Sequence, residues 1–345
     1  MSYLLNTWYL AAWASEVKTG ELFHRQVLDE RVVLFRKKDG APVALRDRCL
    51  HRFAPLHMGK LVDDIVHCPY HGLQFGSDGR CVHNPHGSIP SGARVRQFPV
   101  VERYSALWIW MGDPERADPE LVVPLEFMDP ENWYVGTGHL LVDANYELLT
   151  DNILDLSHVE FLHPLWASTA LGTVHVQAEQ DGDTVWCKRF VARDSPPEFV
   201  RAALLIPPGE LVDRWFDVRW NAPATMAVYT AGAVSGEPRE SGLAIPEAHI
   251  FTPETAATTH HFYAVSFPRA LGERGERAAW EAVAMLGYPL EVEDKPLLKG
   301  ITRNMDDSSF WSLKPLLLHI DAAPILARRI LAKKIESEQS ADAVT

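Results

Sequence analysis

The sequence predicts an α+β protein in which a small antiparallel β domain precedes a larger domain of mixed strands and helices. Short β-branched or aromatic segments, separated by turn residues, fill the chain up to about residue 111. Beyond that point, segments with the helical spacing of apolar residues appear as well. The length of 345 residues fits about two domains.

The N-terminal domain is predicted from short strands punctuated by turn pairs such as Asp39-Gly40 and Asp78-Gly79. The strands are predicted at residues 31–36, 41–45, 65–67 and 107–111. A stretch rich in proline and acid, residues 113–130, indicates a boundary loop. We therefore expect one domain over residues 1–115 and a second over residues 116–345.

The second domain is predicted to contain both kinds of element. Residues 142–163 have few helix breakers, and their apolar side chains recur every three or four positions, as in an amphipathic helix. Further helices are predicted at residues 273–286 and 322–338, and further strands at residues 225–230 and 261–267.

Charge and composition exclude several classes of protein. Lys and Arg number 33 against 46 Asp and Glu, a formal charge of −13, which argues against nucleic acid as a partner. The apolar stretch at residues 8–14 is too short for a membrane span and has no basic flank before Lys18. We therefore expect a cytoplasmic protein with no membrane partner.

Two cysteines and two histidines form the first candidate metal site. The chain reads Cys49-Leu-His51 and, after sixteen residues, Cys68-Pro-Tyr-His71, so each of two loops offers one thiolate and one imidazole. Ordinary zinc fingers place both cysteines in one loop, whereas this mixed order suits a Rieske-type [2Fe–2S] cluster, in which two histidines hold one iron. A structural zinc, or two unrelated buried cysteines, are the alternatives. Cys81 has no histidine partner at this spacing and is predicted to be a packed thiol.

The second candidate metal site lies in the predicted helix 142–163. Asn152, Asp155 and His158 are three residues apart and would share one helix face, and His163 follows. Two imidazoles here supply two ligands of a 2-His-1-carboxylate site for non-haem Fe(II). Simple packing is the alternative role for these histidines.

The spacing of residues does not fix the third ligand of that site. Asp294 is our choice because it leads a helical segment that runs to Arg303. Glu293, Asp306 and Asp307 remain alternatives.

With these motifs the chain resembles the terminal oxygenase (α) subunits of the Rieske non-haem iron oxygenases, most closely the vanillate and dicamba O-demethylase group. The resemblance runs from residues 6–9 through residues 51–55 and 69–72 to residues 293–295. It implies an N-terminal Rieske domain and a C-terminal helix-grip domain, an antiparallel sheet with helices, that holds one mononuclear Fe(II).

The resemblance also implies roles for individual residues. The cluster ligands would be Cys49, His51, Cys68 and His71, and the ligands of the mononuclear iron would be His158, His163 and Asp294. Family members usually form homotrimers in which an Asp joins the two metal centres of neighbouring subunits. Asp155 matches that position, between His71 of one subunit and His158 of the next, and Asn152 would lie near the iron.

The source of electrons is expected to be a separate protein. The sequence Gly136-Thr-Gly138 has Leu141 where a dinucleotide-binding loop needs its third glycine. The resemblance implies a reductase with flavin and [2Fe–2S], or a ferredoxin, that passes electrons from NAD(P)H, with O2 as cosubstrate.

The resemblance implies monooxygenation of a small aromatic substrate. We expect O-demethylation of a methoxybenzoate such as vanillate, giving a phenol and formaldehyde. Alternatives are hydroxylation of an aryl methyl group or a sulfonated arene without demethylation, cis-dihydroxylation, and a Rieske protein that only carries electrons.

An apolar pocket with a few polar groups is expected to hold the substrate. His249, Tyr229 and Met285 are the candidate contacts. Arg219 and Trp220 are further candidates, and they alternate on a predicted strand, so only one of them can face inward.

Overall fold

The computed structural model describes residues 3–166, 174–306 and 308–342, and the chain forms two compact units. The first unit comprises residues 1–124 with residues 252–256, and the second comprises residues 125–251 and 257–345. The predicted α+β class, with an antiparallel N-terminal domain, is confirmed.

The first unit is built from three small antiparallel sheets. Their orders are β1-β11-β10, β2-β3-β4-β9 and β5-β6-β7-β8. The strands are β1 (Trp8–Trp13), β2 (Phe23–Val27), β3 (Glu30–Arg36), β4 (Pro42–Arg46), β5 (Lys60–Val62), β6 (Ile65–His67), β7 (Gln74–Phe75), β8 (Cys81–His83), β9 (Gln97–Phe98), β10 (Val100–Arg103) and β11 (Ala106–Trp110).

Strand β3 separates two hydrophobic cores in this unit. Successive side chains of a strand point to opposite faces. Val32 and Leu34 pack into a core with Tyr9 and Leu107, whereas Val33 and Phe35 pack into a core that includes the two candidate ligands Cys49 and Cys68. The second core therefore holds one cysteine from each loop of the first metal site.

The second unit is a seven-stranded antiparallel sheet with helices. The strand order is β12-β18-β17-β16-β15-β14-β13. The strands are β12 (Trp133–Val142), β13 (Val174–Asp181), β14 (Thr184–Asp194), β15 (Val212–Asn221), β16 (Thr225–Val234), β17 (Leu243–Pro253) and β18 (Thr259–Pro268). The helices are α1 (Tyr146–Leu154), α2 (Val159–Leu162), α3 (Glu198–Ala203), α4 (Glu273–Pro289), α5 (Lys295–Met305) and α6 (Ala322–Asp342).

The single helix predicted over residues 142–163 is wrong in detail. Strand β12 extends to Val142, and α1 begins after Asn145, whose side chain accepts a hydrogen bond from the backbone N–H of Glu147. The helix ends at Asp155, which is extended (φ −116°, ψ 90°) and accepts a hydrogen bond from the backbone N–H of Ser157 at 2.9 Å. Aspartate side chains compete with the helix for backbone donors in this way.

Two glycines let α4 and β18 approach strand β12. A Cβ atom at Gly136 would lie 2.2 Å from the carbonyl oxygen of Ala279, and one at Gly138 would lie 2.1 Å from the ring of Tyr263. The Gly136-Thr-Gly138 sequence therefore serves packing. No helix in the described part of the chain is both long and apolar enough to cross a membrane.

Candidate functional site

The four predicted cluster ligands lie in two loops of the first unit. Cys49 and Cys68 are buried free thiols. Burial raises the pKa of Cys49 to about 11, and the neighbouring thiol of Cys68 adds to that rise. The rings of His51 and His71 lie close together, with centroids 4.5 Å apart. Two thiols and two imidazoles in this grouping are the donor set of a Rieske cluster.

The two loops close with the same backbone hydrogen bonds. The carbonyl of Cys49 accepts from the N–H of Phe53 (3.1 Å), and the carbonyl of Cys68 accepts from the N–H of Gly72 (3.2 Å). Each cysteine N–H donates to the backbone carbonyl five residues later. Cys49 donates to Ala54 at 2.9 Å, and Cys68 donates to Leu73 at 2.8 Å. The fourth residue after each cysteine has a positive φ, 59° at Phe53 and 74° at Gly72. The loops are therefore two copies of one turn, although only one of them has glycine at the left-handed position.

The electrostatics of the second loop favour a neutral imidazole. Loss of hydration and the nearby charges of His51, Arg52 and His86 lower the pKa of His71. The ring of His86 also contacts the backbone carbonyl of His71 at 3.0 Å. A metal binds the neutral form of histidine, so this environment suits a ligand.

A buried aspartate, Asp47, stabilises the first loop, and no motif in the sequence indicates this role. Asp47 accepts hydrogen bonds from the backbone N–H of His57 (2.8 Å) and from Nδ1 of His24 (3.0 Å), and its second contact with His57 is to the ring. Burial opposes its ionisation, but these hydrogen bonds lower the pKa of Asp47 below its usual value. Only the register of neighbouring strands brings His24 to this carboxylate.

The second candidate site is assembled from three helical segments of the second unit. His158 ends a short 3-10 turn after α1, His163 follows α2, and Asp294 ends a π-helical turn, Leu290–Asp294, between α4 and α5. One ligand atom from each of the three lies within 4.8 Å of the other two. The Asp294 carboxylate lies 3.6 Å from Nε2 of His158 and 3.3 Å from Nε2 of His163.

The other nitrogen of each histidine is held by a hydrogen-bond acceptor. Nδ1 of His158 donates to the backbone carbonyl of Asp155 at 2.7 Å, and Nδ1 of His163 donates to the carboxylate of Glu293 at 2.7 Å. Burial opposes protonation of His163, but Asp294 and Glu293 together raise its pKa. Both Nε2 atoms are thereby directed at Asp294, which is how protein ligands are oriented around a metal ion.

Asn152 also belongs to this group. Its amide donates to Asp294 at 3.0 Å and lies 3.5 Å from Nε2 of His158. Of the alternative carboxylates, Glu293 binds the outer nitrogen of His163. Asp306 belongs to no group of ligand atoms in the described residues, and Asp307 lies outside them.

An arginine from the last long helix fixes α1. Arg328 of α6 is buried, and its guanidinium donates to both oxygens of Asp151 (2.7 to 3.1 Å) and to Glu147 (2.6 Å). Burial raises the pKa of Asp151 to about 6 even with this partner. These contacts secure the helix that carries Asn152 and leads into His158.

The site opens on a cavity of about 740 Å³ within the second unit. His158, His163 and Asp294 line it, together with many apolar side chains from the sheet, α3 and α4. The candidate contacts His249, which is buried, and Met285, which is 44% exposed, are among the residues that line it.

The prediction that Tyr229 lines the pocket is wrong, because Tyr229 is not among the described residues that line the cavity. Val228 and Thr230 line the cavity, so the residue between them on β16 points to the other face of the sheet. There the ring of Tyr229 stacks near Trp186, with centroids 6.3 Å apart. Arg219 and Trp220 are also absent from the described lining.

The fold and the two sites define a Rieske-type oxygenase, and comparison with known families identifies which one. Residues 7–99 match the Rieske [2Fe–2S] domain. Residues 142–337 match the C-terminal domain of the oxygenase of vanillate O-demethylase. The chain belongs to this family of Rieske oxygenases, whose cofactors are a Rieske [2Fe–2S] cluster and a mononuclear iron.

Relatives of known activity match along almost the whole chain. The oxygenase component of chloroacetanilide N-alkylformylase from Rhizorhabdus wittichii is 40% identical, covering 97% of each chain. The oxygenase component of dicamba O-demethylase from Stenotrophomonas maltophilia is 36% identical over 96% of this chain and 98% of its own. The crystal structure of dicamba monooxygenase bound to dicamba superposes with a TM-score of 0.88 at 32% identity, covering 99% of this chain and 100% of that one.

These relatives bear on the alternatives raised by the sequence. The match to an oxygenase domain over residues 142–337 contradicts a protein that only carries electrons. The chain is the oxygenase component of a multicomponent system, as its relatives are.

Proposed function

We propose that this protein is a terminal oxygenase that removes an alkyl group from the heteroatom of a small aromatic compound. The O-demethylation of a methoxybenzoate such as vanillate, to a phenol and formaldehyde, is the reaction expected from the sequence. The observation that carries the proposal is the His158, His163 and Asp294 group, which opens directly on a large and mostly apolar cavity. A cavity of about 740 Å³ is of the size that encloses a small organic ligand.

In this proposal His158, His163 and Asp294 hold the mononuclear iron, which when bound supplies the site for O2 activation. The hydrogen bonds that Nδ1 of His158 and Nδ1 of His163 donate, to the Asp155 carbonyl and the Glu293 carboxylate, keep both imidazoles in the tautomer that presents Nε2. The apolar wall excludes water and positions the alkyl carbon of the substrate. Hydroxylation of that carbon gives a hemiacetal or hemiaminal, which breaks into the dealkylated arene and an aldehyde.

Cys49, His51, Cys68 and His71 would hold the [2Fe–2S] cluster that relays electrons. The donor would be a separate reductase or ferredoxin that draws electrons from NAD(P)H. The cluster histidines support this, because His51 is exposed and His71 is half-buried. A ligand at the surface brings the cluster within reach of a donor protein.

Asp155 would couple the two centres in a homotrimer, and Asn152 would lie near the iron beside Asp294. One oxygen of Asp155 accepts from Ser157, while its Oδ2 has no hydrogen-bond partner in the described residues. That oxygen is suited to accept a bond from His71 of a neighbouring subunit. We expect Asp155→Asn to keep both metals and lose nearly all turnover. Iron content and oxygen uptake measure the two effects, and retained turnover would contradict the bridge.

N-dealkylation of an aryl amide is the second candidate, supported by the relative at 40% identity that acts on a chloroacetanilide. Hydroxylation without dealkylation is represented by the toluene-4-sulfonate monooxygenase subunit of Comamonas testosteroni, 37% identical over 76% of this chain. All three reactions begin with hydroxylation of an alkyl carbon attached to the ring or its heteroatom.

Turnover with a surrogate reductase tests the proposal. Methoxyarenes and N-alkylanilides would be supplied with NADH, and aldehyde release and oxygen uptake would be measured together. Dealkylation predicts one aldehyde for each O2 consumed with substrate. Oxygen uptake with a hydroxylated product that keeps its alkyl group, and with no aldehyde, would replace dealkylation by simple hydroxylation.

A further inference from the structure

The charges that line the cavity of the second unit are already compensated within it. The buried cation Arg189 pairs with Glu160 at 2.7 Å. The buried cation Arg214 pairs with Asp194 at 2.9 Å, and Asp194 is fully buried. Each guanidinium is therefore already paired with a carboxylate, which is exposed in the case of Glu160 and fully buried in the case of Asp194.

A third carboxylate lies among these groups. Glu247 on β17 accepts a hydrogen bond from the hydroxyl of Thr230 at 3.2 Å and lies 3.8 Å from Nε2 of His249. If His249 is neutral, Glu247 adds a net negative charge to the wall, and if His249 is protonated, the two cancel. Neither state leaves a cation in excess.

The remaining charged groups do not change this balance. Arg274 and Glu281 line the cavity from α4, and both are exposed, so solvent screens their charges. They lie on the same helix face seven residues apart, and their opposite charges offset each other. Bound Fe(II) would bring two positive charges, and Asp294 and Glu293 at the site match them. Residues 167–173, which lie outside the described chain, contain no charged residue.

We infer that this cavity selects an electrically neutral arene, an aryl ether or an aryl amide, over an arene that carries a carboxylate or sulfonate. A buried anion must be paired, and here it would have to displace Asp194 from Arg214 and leave that fully buried carboxylate alone. Glu247 repels it further. The inference rests on the proposed dealkylation and replaces the methoxybenzoate expected from the sequence by an uncharged arene, with Glu247 as the specificity-determining residue.

A pair of compounds of equal size tests the inference. 4-Methoxybenzamide and 4-methoxybenzoate differ in one formal charge, and their binding to the holoenzyme can be measured by calorimetry without oxygen, so that neither is turned over. The dissociation constant of the amide should be lower by at least about tenfold. Equal or tighter binding of the benzoate would overturn the inference.

Two variants locate the origin of the selectivity. Glu247→Gln keeps an acceptor for Thr230 but removes the charge, so benzoate binding should tighten about fivefold while amide binding changes by less than about twofold. Glu281→Gln, at the exposed rim, should change neither constant by more than about twofold. Unchanged benzoate affinity in Glu247→Gln would refute the role of Glu247.

Turnover separates the failure of this inference from that of the proposed function. Preferred binding of the amide without formaldehyde release in turnover would uphold charge selection and contradict dealkylation. Preferred binding of the benzoate with formaldehyde release would uphold dealkylation and contradict charge selection.

Discussion

Arg328→Met should weaken the helix that leads into the iron site. Methionine keeps most of the apolar stem of the side chain but removes the guanidinium that donates to Asp151 and Glu147. Deleting one partner of a buried ion pair leaves a charge that is poorly solvated. Because 24% of the Asp151 side chain stays exposed, we expect a loss of only about 2–3 kcal/mol in the free energy of unfolding.

The pH dependence of that loss follows from Asp151. Burial already raises its pKa from 3.8 to about 6, and removing Arg328 should raise it further. A carboxyl group whose pKa is raised in the folded state binds a proton there that the unfolded chain releases. The penalty is therefore present above the folded pKa and disappears as the pH falls through it.

Thermal unfolding at two pH values measures both effects. A loss of this size corresponds to about 5–10 °C in Tm at pH 8, and the difference from wild type should shrink at pH 5.5. Arg329→Met, one position along the same helix at an exposed site, is the matched control and should leave Tm nearly unchanged. A variant as stable as wild type at pH 8, or a difference that grows on acidification, would refute the reasoning.

Three further changes probe the iron site and its scaffold. His163→Ala should lose the mononuclear iron and keep the Rieske spectrum, so metal analysis should fall from about three irons per chain to about two; loss of both centres together would contradict their separation. Glu293→Ala removes the carboxylate that accepts the hydrogen bond from Nδ1 of His163. In a chelator competition it should weaken iron binding by about 10- to 100-fold, and an unchanged affinity would show that this hydrogen bond does not orient the ligand. Gly138→Ala places a Cβ 2.1 Å from the ring of Tyr263 and should lower the free energy of unfolding by about 1–3 kcal/mol in denaturant titration, whereas no loss would mean that the ring moves freely.

Most of the metal ligands that the sequence predicts belong to short local motifs. Cys49 with His51, and Cys68 with His71, are each two or three residues apart, so one loop conformation brings each pair together. His158 and His163 are also close along the chain. The structure brings all three predicted iron ligands together. Asp294 is more than 130 residues from His163 along the chain, so the spacing of residues left other carboxylates as alternatives to it.

The features that the sequence did not predict depend on register and on tertiary contacts. Tyr229 was a candidate for the pocket, yet the face of the sheet that it occupies is set by pairing with neighbouring strands. The break of the predicted helix at Asp155 depends on a side chain that binds the next turn. The ion pairs that neutralise Arg189 and Arg214 join residues 20 or more positions apart.

The π-helical turn at Leu290–Asp294 has a consequence for how this enzyme could lose or regain its metal. Two consecutive carboxylates, Glu293 and Asp294, reach opposite nitrogens of the same imidazole ring. The wider turn arises where one extra residue is accommodated in an otherwise regular helix. Deleting a single residue from this stretch would rotate both carboxylates away from His163, although both residues would still be present in the sequence. Iron binding here therefore depends on the helical register of Glu293 and Asp294 as much as on their identity.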